Sequence, residues 1–582
     1  MPTLRHILYT SCVLTCVCFI TGFTSCNKSA KNSDGNNNPQ DTTITVFTPT
    51  DPEVANTIGF FMDEWSAKNF TTPAYQDGTA PTAAAVTVNI DASTVVTKLP
   101  PTLFGNNANL WMGNFTDASL LTHLTNAPPR IIRFPGGSIS DVFFWNAAKN
   151  VKPTDAPDSL LNDQGAKSIA GYWYGKNTEN WTTSVDNYYN MLQQTGNKGM
   201  ITINYAYARY GTSANPVATA AHLAADWVRY DNGRTKYWEI GNESAGTWEA
   251  GYRIDASKNK DGQPALITGD VYGKHFKVFV DSMRKAAQEI GKTIYIGAQL
   301  VEHIPQSWEP TATQTWNATA LPQVNNAASF FIVHNYYTEY HTNANATTIM
   351  NTASSVTKTM MDYVTQSVST AGATMKPIAL TEWNIFSEGS MQMVSSVAGM
   401  HAVGVIGELL KNKYGYASRW DLANAWDNGN DMGLFSNGDE PGVQKWNPRP
   451  VFYYMYFFQK ALGDRFINST VLDNSNIKSY ATTFSSGQIG LTLINTSTTP
   501  LNVQTTFKNF NAGNRFYWYT LTGGTDNGEF SRKVIVNGVT TSGVAGGPDN
   551  YTTLKPYAAT ATSGVKITVP ARGVVCMIID KK

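Results

Sequence analysis

Two glutamates stand at points where an apolar segment turns polar. Glu243 ends the segment Tyr237–Glu243, and Glu382 lies near the end of the segment Ile378–Asn384. Two carboxyl groups about 5–5.5 Å apart can cleave a glycosidic bond with retention, because one protonates the leaving oxygen while the other attacks the anomeric carbon. The pair predicts chemistry on a sugar if the fold brings both segments to one cleft. The alternative is that both glutamates cap strand ends or form ion pairs.

Three further polar residues follow the same pattern. Arg133, within Ile131–Gly137, can hold Glu382 ionised by charge pairing. His334 and Tyr336 lie two residues apart and share one face of a predicted strand, so either can hydrogen-bond Glu382. A satisfied structural histidine is the alternative for His334.

Other acidic residues receive lesser roles. Glu239 has the same inward parity as Glu243 and is predicted to be a buried partner of Arg133. Glu249 lies beyond the strand and is a weaker candidate for the acid. The run Asp427–Asp431 lacks the spacing and the final Glu of a calcium loop, so it is interpreted as a substrate-side loop. We expect no metal and no cofactor.

These residues need a scaffold that collects strand ends on one side. Eight candidate strands are 103–110, 131–137, 200–206, 237–243, 294–300, 331–337, 378–384 and 421–427, and helices are predicted over 217–230, 271–290, 353–370, 395–411 and 450–462. This alternation predicts an α/β fold, a (β/α)8 TIM barrel with its chemistry at the carboxyl ends of the strands. Those ends include Asn107 in the first strand and Trp426 in the eighth. A doubly wound open sheet is the competing fold, but it gives no reason for so many polar strand ends.

The rest of the chain divides into a leader and a C-terminal β region. Beyond about residue 464, short alternating runs separated by turns predict a β-sandwich, and Ala85–Ile90 is predicted to add a strand to it. The predicted boundaries are 1–26 for a signal peptide, 27–45 for a flexible tether, 46–100 for an N-terminal segment, 101–463 for the barrel and 464–582 for the sandwich.

The N-terminus resembles a bacterial lipoprotein signal. Arg5 and His6 precede an apolar stretch, and small residues lead to Cys26. Cys26 is therefore the predicted lipidated first residue of the mature chain, and two acyl chains give stable membrane anchoring. The expected location is a bacterial membrane, at the periplasmic face or the cell surface. A plain secretory signal with an incidental cysteine is the alternative.

Composition excludes several classes of partner. The 43 Lys and Arg residues balance 43 Asp and Glu residues, so no excess charge draws the chain to nucleic acid. Charged residues make up 15% and aromatic residues 12%, which suits a neutral, hydroxyl-rich ligand. Of the five cysteines, only Cys576 stays free after removal of the signal and lipidation. The mature chain therefore has neither a disulfide nor a cysteine-based metal site.

Four short motifs occur together in one known group of enzymes. They are Arg133-Phe134-Pro135-Gly136-Gly137, Gly241-Asn242-Glu243 with Trp248, His334 with Tyr336, and Glu382-Trp383-Asn384. The set resembles clan A of the glycoside hydrolases, most closely family 51, the α-L-arabinofuranosidase family, with families 39, 79 and 30 as relatives. The resemblance implies that Glu243 is the acid/base, that Glu382 is the nucleophile and that Asn242 hydrogen-bonds the 2-hydroxyl of the sugar.

Side chains around this pair are expected to bind the substrate. Aromatic rings stack on the apolar faces of sugars, and many lie in the predicted loops of the catalytic side. The expected substrate-binding set is Arg133, Asn107, Asn242, His334, Tyr336, Trp248 and Trp426.

The sequence thus predicts an exported retaining glycoside hydrolase that acts on a neutral polysaccharide or oligosaccharide by double displacement. Two departures from family 51 leave the sugar open. Ser138 stands where the family has Asn, and 104–109 lacks the glutamate that the family places after the first strand. The alternatives are a non-catalytic glycan-binding lipoprotein, and an endo-acting glycanase or transglycosylase of the same clan.

Overall fold

A computed structural model describes residues 50–126, 131–526 and 528–582. The predicted signal peptide, the tether and Cys26 lie outside these residues. Within them, no helix combines the length and the apolar character needed to cross a membrane.

Eight parallel strands close into a barrel. They are β1 (Gly105–Asn107), β2 (Ile131–Phe134), β3 (Lys198–Ile203), β4 (Tyr237–Ile240), β5 (Tyr295–Gln299), β6 (Phe330–Asn335), β7 (Ile378–Trp383) and β8 (Tyr416–Arg419). Neighbours in sequence pair with one another, and β8 pairs with β1 to close the ring. The strands are almost wholly buried because their two faces meet the barrel interior and the surrounding helices. This architecture confirms the predicted barrel.

A helix follows each barrel strand. The helices are α1 (Ala118–Asn126), α2 (Val185–Thr195), α3 (Pro216–Asp231), α4 (Gly269–Glu289), α5 (Thr311–Val324), α6 (Ala346–Thr370), α7 (Ser396–Lys411) and α8 (Pro450–Ala461). Several begin at a side-chain cap, such as Thr268 before α4 and Asn345 before α6, which accept backbone N–H groups of the first turn. Pro216 and Pro450 open α3 and α8, where the missing N–H costs nothing.

The prediction for the eighth strand is wrong. The strand that closes the ring is Tyr416–Arg419, not 421–427. It has only four residues, two of them polar, so no apolar run marks it in the sequence. The predicted segment instead contains the short strand Ala423–Asn424, which pairs with Phe435–Ser436 outside the barrel.

The amino end of the barrel is closed by a short helix from the N-terminal segment, Gly59–Met62. Phe61 packs among the first residues of the barrel strands, and the ring of Phe60 stacks on Tyr295 with centroids 3.8 Å apart. This apolar plug leaves the carboxyl ends of the strands as the open face.

The C-terminal region is one curled sheet of eleven strands. In hydrogen-bonded order it comprises Gln76–Asp77, Tyr557–Thr560, Ala512–Thr522, Gly573–Lys581, Ile489–Asn495, Ile477–Thr483, Arg465–Leu472, Val86–Lys98, Leu501–Lys508 and Val565–Val569, with Ile535–Val536 paired to Ala512–Thr522. The strand Val565–Val569 packs across a shared apolar core against strands with which it is not paired. The sheet therefore folds over on itself as a sandwich does. The N-terminal strand Val86–Lys98 lies between two C-terminal strands.

The remaining regular elements are short. They are the strand pairs Phe143–Phe144 with Trp173–Tyr174 and Ser159–Leu161 with Lys167–Ile169, the helical turns Pro101–Leu103, Leu110–Met112, Ser138–Val142, Gln392–Val394 and Asp427–Gly429, and the one-turn helix Tyr207–Tyr210. Most of them lie in loops on the open face.

Candidate active site

The chain turns sharply at the carboxyl end of β4. Gly241 has a φ of +80°, and a Cβ there would lie 2.7 Å from the side-chain nitrogen of Gln299. A glycine is needed at this position, because both the turn and the close approach exclude a side chain. Glu243, with a φ of +39°, follows at the mouth of the barrel.

Glu243 and Glu382 face each other at this mouth. One oxygen of each carboxyl group and a ring nitrogen of His334 all lie within 4.8 Å of one another. The two side chains differ in exposure: 22% of Glu243 is accessible but only 6% of Glu382. The separation suits a retaining pair, since it leaves no room for a water molecule between the carboxyl groups and a sugar.

Glu382 is held from two sides. Arg133 Nη1 lies 3.1 Å from its Oε2, and the hydroxyl of Tyr336 donates to its Oε1 at 2.6 Å. Both contacts direct positive charge or a proton toward the carboxylate, so both favour its ionised form.

Arg133 connects the floor of the site. Its Nε pairs with Glu239 Oε2 at 2.6 Å, its Nη1 also donates to Asn107 Oδ1 at 2.8 Å, and its Nη2 donates to Asn242 Oδ1 at 2.9 Å. The guanidinium is fully buried, so every donor nitrogen is used within the protein. The predicted partnership between Arg133 and Glu239 is confirmed.

Glu243 has a different set of partners. Its Oε1 lies 2.8 Å from His334 Nδ1, and its Oε2 accepts a hydrogen bond from Trp248 Nε1 at 3.0 Å. His334 Nε2 contacts Thr381 Oγ1 at 2.9 Å, while Nδ1 is 3.9 Å from Glu382 Oε2. Of the two residues predicted to bond Glu382, Tyr336 does so and His334 bonds Glu243.

The titration of the two glutamates is coupled. Burial raises the pKa of Glu382 and the charge of Glu243 adds to it, while His334, Arg133 and Tyr336 oppose the shift. Burial acts in the same direction on Glu243, but hydrogen bonds from His334 and Trp248 outweigh it and lower its pKa. Burial lowers the pKa of His334, and both carboxylates more than reverse that effect. The two carboxyl groups therefore titrate as a coupled pair, in which the ionisation of each raises the pKa of the other.

A second pair of acids lies beneath Asn242. Glu249 Oε1 accepts hydrogen bonds from Asn242 Nδ2 and from Ser138 Oγ, each at 2.8 Å. Asp141 is also buried, and burial raises the pKa of both carboxyl groups well above the usual value, to which the charge of Asp141 adds for Glu249. Each of these two carboxyl groups therefore opposes the ionisation of the other. Asp141 has no motif of its own, and only the folded loop after β2 brings it to Glu249.

Two of the predicted substrate-binding residues lie away from the cleft surface. Asn107 has no accessible surface, and its side-chain nitrogen donates to the carbonyls of Thr381, Ser418 and Arg419. Because β8 ends at Arg419, Trp426 lies in the following loop, with the guanidinium groups of Arg449 and Arg532 over its ring. Trp248, by contrast, is 68% exposed beside Glu243.

Within the described chain, Glu243, His334 and Glu382 are the one group of acids and histidines whose ligand atoms could converge on a metal ion. The guanidinium of Arg133, 3.1 Å from Glu382, opposes that role because it would repel a cation. The geometry fits proton transfer between the residues better than coordination.

One protein family matches part of the chain in sequence, and solved structures match it in fold. A family described as the alpha-L-arabinofuranosidase 1 domain matches residues 123–368. No curated protein matches the chain. The match covers Arg133, Glu243, His334 and Tyr336 but ends before β7.

Solved structures give the rest of the comparison. The α-L-arabinofuranosidase of Thermotoga maritima, solved with arabinose, is 16% identical over 85% of this chain and 99% of its own, with a TM-score of 0.56. A family 51 α-L-arabinofuranosidase from Bifidobacterium longum is 16% identical over 86% of this chain and all of its own, with a TM-score of 0.58. A family 44 xyloglucanase from Paenibacillus polymyxa is 12% identical over 86% and 100%, with a TM-score of 0.56.

The chain resembles clan A of the glycoside hydrolases, with family 51 among its relatives. At these identities the structures establish the fold, and the activity has to be argued from the site.

Proposed function

We propose that the protein is a retaining glycoside hydrolase that acts on a neutral glycan. The observation that carries the proposal is the facing pair Glu243 and Glu382, within 4.8 Å, in two different environments. One carboxyl group is fixed by Arg133 and Tyr336, while the other lies at the surface beside Trp248. A site that only bound sugar would need no such pair.

In the first step Glu382 attacks. A bond forms between its carboxylate oxygen and the anomeric carbon, the bond from that carbon to the leaving oxygen breaks, and Glu243 gives its proton to the leaving oxygen. This step needs Glu243 protonated and Glu382 ionised. A bound sugar favours the protonated form of Glu243, because it removes water from this partly exposed side chain and so raises its pKa. Arg133 and Tyr336 then stabilise the ionised Glu382.

In the second step water releases the sugar. Glu243, now ionised, takes a proton from a water molecule, whose oxygen attacks the anomeric carbon as the bond to Glu382 breaks. Glu243 is then protonated and Glu382 ionised, as the first step requires. Two inversions give a product with the configuration of the substrate.

Asn242 is well placed for the sugar. Its Oδ1 accepts from Arg133 and one Nδ2 hydrogen is taken by Glu249, which leaves the second hydrogen for a sugar hydroxyl. We infer that Asn107, which has no accessible surface, positions Arg133 instead of binding substrate.

An α-L-arabinofuranoside is the first substrate to test, because the family match and two of the neighbours bear that activity in their descriptions. Ser138 supports a different specificity. Its hydroxyl is committed to Glu249, so it does not supply the sugar contact expected of the family's asparagine. The family's glutamate after the first strand is also missing from 104–109.

The decisive experiment combines a substrate screen with stereochemistry. Purified protein would be tested on aryl glycosides, headed by 4-nitrophenyl α-L-arabinofuranoside, and on neutral plant polysaccharides. Proton NMR of the first product anomer should show retention. Inversion, or sugar binding without hydrolysis across the whole panel, would refute the proposal.

We also propose that the protein is exported and lipid-anchored through Cys26. The support is the signal-like sequence that precedes this residue. Metabolic labelling with a radioactive fatty acid should mark the wild-type chain and spare Cys26→Ser. Equal labelling, or equal release of both chains into the soluble fraction, would contradict the proposal.

A further inference from the structure

Four tryptophans form a continuous row on the open face. The ring centroids are 6.2 Å apart from Trp420 to Trp111, 6.4 Å from Trp111 to Trp173, and 5.7 Å from Trp173 to Trp181. The first three rings are half-buried, and Trp181 at the outer end is 52% exposed. The rings meet edge to face, so each contact covers part of one indole face and leaves the opposite face of that ring free of its neighbour.

Trp420, at the inner end of the row, lies next to the backbone that carries Glu382 and Arg133. Trp420 directly follows β8, and its backbone N–H donates to the carbonyl of Trp383, the residue after Glu382, at 2.9 Å. A Cβ on Gly137 would lie 2.4 Å from the ring of Trp420. The glycine is therefore needed to let the indole lie against the turn that follows Arg133.

The row of tryptophans lies on the opposite side of the barrel mouth from the acid/base Glu243. β8, which Trp420 directly follows, is four strands away from β4 in the closed ring, so it lies across the barrel from Glu243. The acid/base stands on the leaving-group side of a scissile bond. The row consequently lies on the side that holds the part of the substrate retained by the enzyme.

The outer end of the row is fixed in place. Trp181 Nε1 donates to Glu179 Oε2 at 3.1 Å, and Glu179 also pairs with Lys149 at 2.6 Å. These contacts use the edge of the indole and leave its face open. The ion pair balances its own charge, so this end attracts neither an anion nor a cation strongly.

We propose that this row, Trp420, Trp111, Trp173 and Trp181, binds several units of a neutral glycan chain on the retained side of the scissile bond. The proposal rests on the proposed function and extends it to polymeric substrates. Indole faces offer apolar stacking surface to the C–H faces of sugars. An acidic glycan would need a cation free to bind it. Arg133 at the inner end spends all its donor nitrogens on protein groups, and Lys445 donates to the carbonyl of Met112, the residue after Trp111, at 2.6 Å.

The test uses native gels that contain a polymer. The mature chain with Glu382→Gln, which prevents digestion, would be run in gels with soluble arabinoxylan, xyloglucan or polygalacturonate. We expect a neutral polymer to retard the chain, and Trp181→Ala to weaken this retardation about tenfold, with partial recovery in Trp181→Phe. The matched control is Trp308→Ala, an 81% exposed tryptophan in the loop after β5, which should be retarded like the parent.

A kinetic ratio gives the second readout. In the active background, Trp181→Ala should lower kcat/KM on the polymer about tenfold more than on a short aryl glycoside. Absence of all hydrolysis would refute the proposed function, while the gels would still report on the row. The row is refuted if neither neutral polymer retards the parent, if polygalacturonate retards it most, or if Trp181→Ala and Trp308→Ala behave alike.

Discussion

The ends of β4 and β7 place the same residue type in two different settings. Glu382 is nearly enclosed, and an arginine and a tyrosine fix its two oxygens. Glu243 is partly open to solvent and is bonded to a histidine, which can gain or lose a proton, and to an exposed indole, which can be displaced. Rigidity suits a nucleophile that must meet one atom, and exposure suits an acid whose pKa must change when the substrate arrives.

This contrast shows how one barrel can give two glutamates different chemical environments. The charge that supports β7 comes from β2, and Arg133 in turn is neutralised by Glu239 on β4. The ends of β4 and β7 are therefore connected through the buried Arg133, in addition to facing each other across the mouth of the barrel. Variants of Glu382, of Glu243 or of Arg133, which connects β4 to β7, can therefore separate the roles of the two glutamates.

The largest effect is expected at β7. Glu382→Ala should lower turnover by at least about 10⁴-fold, because no other group can attack the anomeric carbon. Azide should restore part of the activity on an aryl glycoside with a good leaving group, measured by release of the phenolate. Glu388→Ala, in the loop after the same strand, is the matched control and should remain active. Full activity in Glu382→Ala would disprove the assignment.

For a variant of Glu243, at the end of β4, the loss of kcat/KM should depend on the leaving group of the substrate. Glu243→Gln removes the proton donor, so kcat/KM should fall about 10²–10⁴-fold on substrates with poor leaving groups. The fall should be far smaller on aryl glycosides whose phenol leaves without protonation. Rates across a series of phenols of graded acidity measure this dependence. An equal loss on every substrate would count against the acid/base role.

The buried ion pairs of Arg133 with Glu239 and Glu382 should contribute to the stability of the fold. Arg133→Met leaves Glu239 and Glu382 buried without a cation, so the free energy of unfolding should fall by about 3–5 kcal/mol. The exposed pair of Arg229 with Glu289 offers a control, since Arg229→Met should cost less than about 1 kcal/mol. Denaturant titration of both variants measures the difference. A similar loss of unfolding free energy in the two variants would show that the ion pairs of Arg133 contribute no more to stability than an exposed pair.

The shared histidine should set the pH range of activity. Protonated His334 lowers the pKa of both Glu243 and Glu382. In His334→Asn both pKa values should therefore rise, which moves the acidic and the alkaline limbs of the kcat/KM profile to higher pH. The exposed His341→Asn is the control. A profile that stays in place or moves to lower pH would contradict the arrangement.

The smallest effect is expected beneath Asn242. Because burial and the charge of Asp141 raise the pKa of Glu249, a neutral side chain suits this position. Glu249→Gln keeps the acceptor for Asn242 and should therefore change kcat/KM less than about threefold. Glu249→Leu leaves Asn242 and Ser138 without a partner, and should cost about 1–3 kcal/mol in stability as well as activity. Thermal unfolding and kinetics of both variants make the comparison. A greater loss in the glutamine variant would mean that Glu249 is ionised.

The barrel was predictable wherever a strand carries an apolar run into a polar end. β4 and β7 have both features, so Glu243 and Glu382 were placed in one cleft from the sequence. β8 has neither, because Tyr416–Arg419 is short and half polar, and its position depends on pairing with β7 and β1. The error moved Trp426 to a strand end that it does not occupy.

The network around the glutamates was less accessible to sequence reasoning. The two-residue period put His334 and Tyr336 on one face but could not say which glutamate each would reach. Asp141 and Trp420 lie in loops without periodicity, and their contacts depend on how those loops fold over the barrel mouth. Spacing rules describe strands and helices, not the paths between them.

The strand Val86–Lys98 has a consequence for how the protein is made. It precedes the whole barrel in the chain, yet both of its neighbours in the sheet, Arg465–Leu472 and Leu501–Lys508, are synthesised after it. A chain emerging from its amino end thus carries thirteen residues of unpaired strand until the last segments arrive. A fragment that begins before this strand and ends after α8 would keep its edges unpaired, so a barrel freed of the sheet must also begin after Lys98 to avoid an aggregation-prone strand.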